Sequence, residues 1–124
     1  MLNVLLVAGG GAPGSAARYL LNGFVQGRMG PHFPWGTILV NVTGSLFIGF
    51  ILGLFQSGDI SSEARLFFAV GLLGGYTTFS TFSHDTLGLL SNGTLAPVLL
   101  NTLGQVIAGL IAVYLGLAIA RFFA

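Results

Sequence analysis

The run Gly71-Leu-Leu-Gly-Gly-Tyr-Thr-Thr-Phe-Ser-Thr-Phe-Ser-His-Asp85 concentrates the polar chemistry of this chain. Tyr76, Thr77, Thr78, Ser80, Thr81 and Ser83 put a hydroxyl at six of eight consecutive positions. The residues that interrupt them are Phe79 and Phe82, at i and i+3, so they share a helix face. An aromatic ring is negative on its face and positive at its edge. Two rings turned edge-on among hydroxyls can hold a small anion without a full positive charge, and weak repeated sites let the ion leave again. Ser80, Thr81 and Ser83 can add donors along that path. Thr37, Asn41 and Ser45 recur at i, i+4 and i+8 and fall on one face. The Asn41 amide offers two N–H groups to an anion; hydrogen bonding between helices explains the same spacing equally well.

The same run is poorly built for a continuous helix. Gly74 and Gly75 surrender backbone order, and Thr77 and Thr78 add β-branched crowding. In lipid, non-helical backbone survives only where protein buries it or where it lines a cavity. A break bracketed by Gly74 and Thr77 frees their carbonyls, and such carbonyls hold ions in other broken membrane helices. Two carbonyls are too few for a desolvated cation. The same two from an inverted second copy make four, an oxygen cage of sodium size. The bland reading is a kink patched by threonine hydroxyls or water.

Two charges fall in or near the apolar spans, where ionisable groups are functional candidates by default. Arg18 lies late in the first span, where it either snorkels or raises the anion concentration at a vestibule. Asp85 is placed to pair with an arginine or to hold a hydroxyl network. Asn101 and Gln105, at i and i+4, share a face and suit hydrogen bonding between helices.

These groups must be positioned by membrane helices. The chain is 54% hydrophobic and 6% charged, with mean hydropathy +0.93. A soluble domain is about 25% charged. The net charge of +1 argues against a nucleic-acid partner, and the absence of lysine removes any polybasic lipid-binding patch. With no cysteine there is neither a disulfide nor a thiolate metal site. Four apolar runs near 3–25, 36–56, 63–90 and 95–122 reach the roughly 20 residues that a bilayer demands. The first has no basic n-region, so it reads as a span and not as a cleaved signal. Residues 27–34 and Ser91-Asn92-Gly93-Thr94 read as turns, and Ser61-Ser62-Glu63 as a helix cap. Arg65 and Arg121 lie on one side of this arrangement, with Arg28 and Arg18 on or near the other. The balance gives no preferred orientation under the positive-inside rule. Two copies inserted both ways could then pair as an antiparallel homodimer; the bland alternative is that a partner or the lipid fixes one orientation.

Other motifs have duller readings. Residues 9–14 match G-x-G-x-x-G literally but follow no strand and precede no acidic residue at the right distance. Gly10-x-x-x-Gly14, Gly49-x-x-x-Gly53 and Gly71-x-x-x-Gly75 read as close-packing surfaces, and Pro13 as a candidate kink. Ser83-His84-Asp85 is no catalytic triad, because adjacent helical residues point about 100° apart. An enzyme is not expected.

The run 74–83 resembles the signature of the Fluc, or CrcB-type, fluoride channels. Residues 10–19 with Gly14 and Arg18, residues 36–41 with Asn41, and the four-span length are similar to the same family. The resemblance implies an all-α, four-span channel of the inner membrane with a broken third helix. It implies a dual-topology antiparallel homodimer that exports fluoride passively and relieves its toxicity. Phe79 and Phe82 match the family's pore phenylalanines, Asn41 its pore asparagine, and Ser80 and Ser83 its polar positions. Arg18 matches the first-span arginine. Gly74 and Thr77 match residues whose carbonyls hold a structural sodium ion between the subunits. Asp85 stands where the motif often has glutamate. Gly109 and Val113 stand where the fourth span can carry pore hydroxyls, with Gln105 one turn earlier. The competing readings are a small proton-coupled exporter, which needs a buried carboxylate that Asp85 alone could supply, and a non-conducting assembly subunit.

Overall fold

The computed structural model describes residues 1–124 and contains helices, turns and no strand. Helix α1 spans Leu2–Met29 and α2 spans Trp35–Gln56. Helix α3 occupies residues 62–76 and α4 spans Phe79–Ser91. Helix α5 runs over Leu95–Phe123. The all-helical expectation holds, and α3 and α4 are the two halves of the bent third run.

Trp35–Gln56, Ser62–Ser91 and Leu95–Phe123 are long and apolar enough to cross a membrane. Helix α1 has 28 residues, ample length at about 1.5 Å per residue. Asn3, the glycine run 9–11, Arg18 and Asn22 dilute its apolar character. It also outruns its expected end at residue 25. The Gly30 N–H closes onto the Gln26 carbonyl at 3.0 Å, and Gly30 then turns the chain at φ +90°. Helix α1 passes through Pro13 without interruption.

Small residues set the packing. Gly10 and Gly14 of α1 press against the Phe67 and Leu72 backbone, where an added Cβ would overlap carbonyl oxygens. From the opposite side, a Cβ at Gly75 would lie 2.7 Å from the Gly11 carbonyl oxygen. Gly49 of α2 and Gly116 of α5 make an equivalent seam against Val113 and Leu46. The glycine spacings thus mark two close pairs, α1 with α3 and α2 with α5. Gly14→Leu should therefore separate α1 from α3 and abolish the monodisperse peak in detergent gel filtration. A normal elution profile would contradict the close approach.

Two features were not anticipated. Leu66–Leu73 in α3 and Leu100–Gly104 in α5 are π-helical, a widened winding that often accompanies functional sites. The break also falls later than the glycines suggest. Gly74 keeps helical angles (φ −63°, ψ −37°). Thr77 and Thr78 are the extended residues, with ψ 158° and 117°. β-Branched residues favour that geometry, and neighbouring side chains replace the lost backbone bonds.

The expected caps and turns form. Ser61 Oγ accepts from the Ala64 N–H at 3.1 Å. Gly93 turns α4 into α5 at φ +82°. Helix α2 begins without a cap of its own, and Gln26 substitutes: its Oε1 accepts from the Gly36 N–H at 3.1 Å, while its amide donates to the Phe33 carbonyl at 2.8 Å.

Candidate functional site

The break is held from three sides. Leaving the helix at Thr77 diverts the Thr78 N–H from the Gly74 carbonyl, its partner in a continued helix. Asn41 on α2 takes it. The Thr78 N–H donates to Asn41 Oδ1 at 2.7 Å, and Asn41 Nδ2 donates back to the Thr78 carbonyl at 3.0 Å. One side-chain amide thus pairs with both backbone groups of one residue, in the manner of a β-ladder rung. From α1, Arg18 Nη1 donates to the Thr77 carbonyl at 3.2 Å. From α4, the Thr78 hydroxyl caps the helix, accepting from the Thr81 N–H at 3.2 Å and donating to Thr81 Oγ1 at 3.1 Å. Gly44 leaves room on α2 for the Tyr76 ring and the Thr77 methyl, and the Tyr76 and Thr43 hydroxyls meet at 2.9 Å.

Beside this junction lies an open cavity of about 330 Å³, lined by Asn41, Ser45, Thr77, Phe79, Phe82 and Gln105 among others. The Phe79 and Phe82 rings stand 5.7 Å apart, tilted by 40°. Phe79 is 79% exposed, so much of its ring is left uncovered by its own chain. A second cavity of about 570 Å³ opens toward the α1–α2 loop and is lined by Thr37, Thr81, His84 and Asp85 with loop residues. Asp85 Oδ2 accepts from the Thr37 hydroxyl at 2.7 Å, the hydroxyl partnership expected of it, and no arginine reaches it. His84 Nδ1 lies 3.7 Å from the other carboxylate oxygen.

The structure therefore gathers Asn41, Phe79, Phe82 and Thr77 on one cavity and Thr81 and Asp85 on the other. Ser80 and Ser83 line neither. The Ser83 hydroxyl donates to the Phe79 carbonyl at 3.0 Å, back into its own helix, and Ser80 Oγ sits 3.4 Å from Thr78 Oγ1. This disposition leaves Ser83-His84-Asp85 without a relay. Gly74 is exposed, and a Cβ there would meet nothing nearer than the Ala69 carbonyl oxygen at 3.8 Å.

Asn101 and Gln105 bond as their spacing implies, but with more consequence than helix glue. Gln105 Oε1 accepts from Asn41 Nδ2. Gln105 Nε2 donates to Asn101 Oδ1 at 3.0 Å, and Asn101 Nδ2 donates to Thr86 Oγ1 at 2.9 Å. Both residues are buried, at 6% exposure for Gln105 and 0% for Asn101. Sequence reasoning missed Thr78 as the cap and Thr86 as the end of this chain of bonds. A threonine just before a restarted helix was the available signal for Thr78; Thr86 carried none.

Residues 5–117 match the family described as CrcB-like protein, Camphor Resistance (CrcB). The chain is 52% identical over 112 residues to a fluoride-specific ion channel FluC of Thermus thermophilus, covering 90% of this chain and 88% of that one. It is 47% identical over 119 residues to the FluC of Nitrobacter winogradskyi, covering 95% and 94% of the two chains. It is 46% identical over 122 residues to the FluC of Rhizobium meliloti, covering 98% of each. With a break, a phenylalanine pair and an amide that meet at one cavity, and with similarity along nearly its whole length, this chain belongs to the CrcB-like family.

Proposed function

We propose that this chain is a fluoride-selective channel, not an enzyme, that lets fluoride leave the cell passively through the inner membrane and so limits its toxicity. The carrying observation is the convergence of Asn41, Phe79 and Phe82 on one open cavity beside the broken helix. Fluoride is small and strongly hydrated, so donors must replace its water throughout. The Asn41 amide, the ring edges of Phe79 and Phe82 and, from the neighbouring cavity, the Thr81 hydroxyl are the candidate replacements; Ser80 and Ser83, which line neither cavity, join them only by turning their hydroxyls out of their present contacts. Arg18 and Asp85 support the path and do not line its narrow part: Arg18 by holding the Thr77 carbonyl, Asp85 by fixing Thr37. The relatives' name supports the choice of halide.

All four helical runs cross the bilayer in this reading, α1 shielded by its glycine seam with α3. A monomer leaves the cavity open and Phe79 bare. A second, inverted copy would cover both, and the even split of arginines permits that insertion. The antiparallel homodimer follows, with two pathways related by a two-fold axis in the membrane plane.

A structural sodium ion at the centre of this dimer fits the residues present. Loss of the Thr78 N–H frees a lone pair on the Gly74 carbonyl, and the position beside Gly74 is open. The Thr77 carbonyl spends one lone pair on Arg18 and keeps another. Gly74 and Thr77 would hold the ion, which supplies positive charge that pins the two breaks together.

Liposomes containing only this protein should release fluoride and retain chloride, with no proton gradient required. Replacing sodium by a bulky organic cation should lower the fluoride rate. Equal release of both halides, or fluoride release that requires a proton gradient, would refute the channel reading.

A further inference from the structure

We propose that Asn41, Gln105, Asn101 and Thr86 form a reversible hydrogen-bond wire, and that its reversal turns Gln105 from an acceptor facing Asn41 into a second N–H donor for the anion. The inference rests on the reading of the chain as a fluoride channel.

The direction of the wire is set at one end by the backbone. The Thr78 N–H can only donate, so the Asn41 atom facing it is Oδ1. That turns Asn41 Nδ2 toward the Thr78 carbonyl and Gln105. Gln105 must answer with Oε1, which leaves Nε2 for Asn101 Oδ1, and Asn101 Nδ2 for Thr86 Oγ1. The Thr86 hydroxyl donates in turn to the Phe82 carbonyl at 2.8 Å. In this polarity both Asn41 N–H groups are engaged, and an anion beside Asn41 meets the lone pairs of Gln105 Oε1.

The other end can absorb a reversal. A hydroxyl is donor and acceptor on one atom. Rotated away from Phe82, Thr86 donates to Asn101 Oδ1 once that amide has turned over. Asn101 Nδ2 then donates to Gln105 Oε1, and Gln105 Nε2 faces Asn41 Nδ2. Each turn is a rotation about an sp³–sp² bond with broad, roughly two-fold preferences, and it barely changes the side chain's shape. Asn101 is fully buried, so no water completes its bonds in either state, and it must turn together with Gln105 and Thr86.

The reversed state sets two N–H groups against each other, which is unfavourable when nothing lies between them. An anion between them is held by both. The anion thus selects the state that binds it, and the cavity offers donors only while occupied. The three side-chain bonds of Gln105 give it the reach to draw back and admit the ion. This arrangement needs glutamine at position 105 and a hydroxyl at position 86.

The test uses full-length protein with 15N in its glutamine side chains, in bilayer discs. Gln26, Gln56 and Gln105 give the three amide signals, and Gln105→Met identifies the one that matters. Sodium fluoride should move the Gln105 signal saturably and give it a coupling to 19F; sodium chloride should do neither. Thr86→Val should remove that response and lower fluoride efflux by about tenfold or more, and Thr86→Ser should restore both. Full fluoride efflux with an unmoved Gln105 signal would overturn the wire and leave the channel reading standing. No efflux from a preparation whose Gln105 signal still responds to fluoride would overturn the channel reading and leave the wire. Equal efflux from Thr86→Val and Thr86→Ser would also overturn the wire.

Discussion

Asn41→Leu should both unfold the break and silence the protein. The substitution keeps a side chain of similar size at the crossing of α2, α4 and α5 but removes every polar atom. The Thr78 N–H and carbonyl then lose their partners together, and Gln105 Oε1 loses its donor. Thr78 is 7% exposed, so water does not replace what is lost. A buried polar group left without a partner costs about 1–3 kcal/mol, and here two backbone groups are stranded at once. The expected result is a marked fall in the thermal unfolding midpoint in detergent together with loss of fluoride efflux. Asn41→Asp separates volume from hydrogen bonding. It matches the shape and still accepts from the Thr78 N–H, but it turns a carboxylate oxygen toward the Thr78 carbonyl, where a donor stood. It should be as damaging as leucine. A variant of either kind that melts with the native protein would show that Asn41 does not hold the break.

This role also marks where sequence reading stops. The helical class, the apolar runs, the glycine seams and the presence of a break were legible because each is local: composition, periodicity, or an i, i+4 repeat of small residues. Asn41 and Ser45 were legible as one face of α2, but what that face meets depends on pairings 37 and 64 residues away in the chain. Nothing in the spacing says that the amide pairs with backbone. The break slipped from the glycines to the threonines for a related reason. Gly74 and Gly75 are locally permissive, yet a helical Gly75 is what lets α3 press against Gly11 of α1. Tertiary packing therefore keeps the glycines helical and moves the extended geometry to Thr77 and Thr78, where Arg18, Asn41 and the Thr78 hydroxyl satisfy the freed groups. The π-helical segments had no sequence signature because shifting the backbone bonds from i→i+4 to i→i+5 asks for no particular residue type.

The candidate site was half legible on the same terms. Phe79 and Phe82 sit at i and i+3 within one helix, and they do reach one cavity. Ser80 and Ser83 were grouped with them by adjacency, but in a helix adjacent residues diverge. Ser83 instead spends its hydroxyl on the backbone of its own turn. Asp85 and Thr37 illustrate the converse. Asp85 was read as the holder of a hydroxyl network or the partner of an arginine, and Thr37 only as part of its own helix face; the fold brings these two to 2.7 Å.

Phe82→Ile should abolish fluoride efflux from liposomes without disturbing the fold. Phe82 is partly covered and lies against Phe79 at 5.7 Å. Isoleucine fills much of the same space with apolar atoms, so helix packing should survive. It has no positive ring edge, so an anion leaving its water beside Asn41 finds aliphatic carbon where a weak donor stood. Each 1.36 kcal/mol of lost anion stabilisation slows passage about tenfold. A fall of about 100-fold therefore requires a loss of only about 2.7 kcal/mol, a modest sum for a desolvated ion. The checks are a fluoride-electrode efflux assay and gel filtration of the same preparation. Undiminished efflux from a correctly folded Phe82→Ile protein would remove the ring from the proposed pathway and leave the hydroxyls and amides to carry the ion alone.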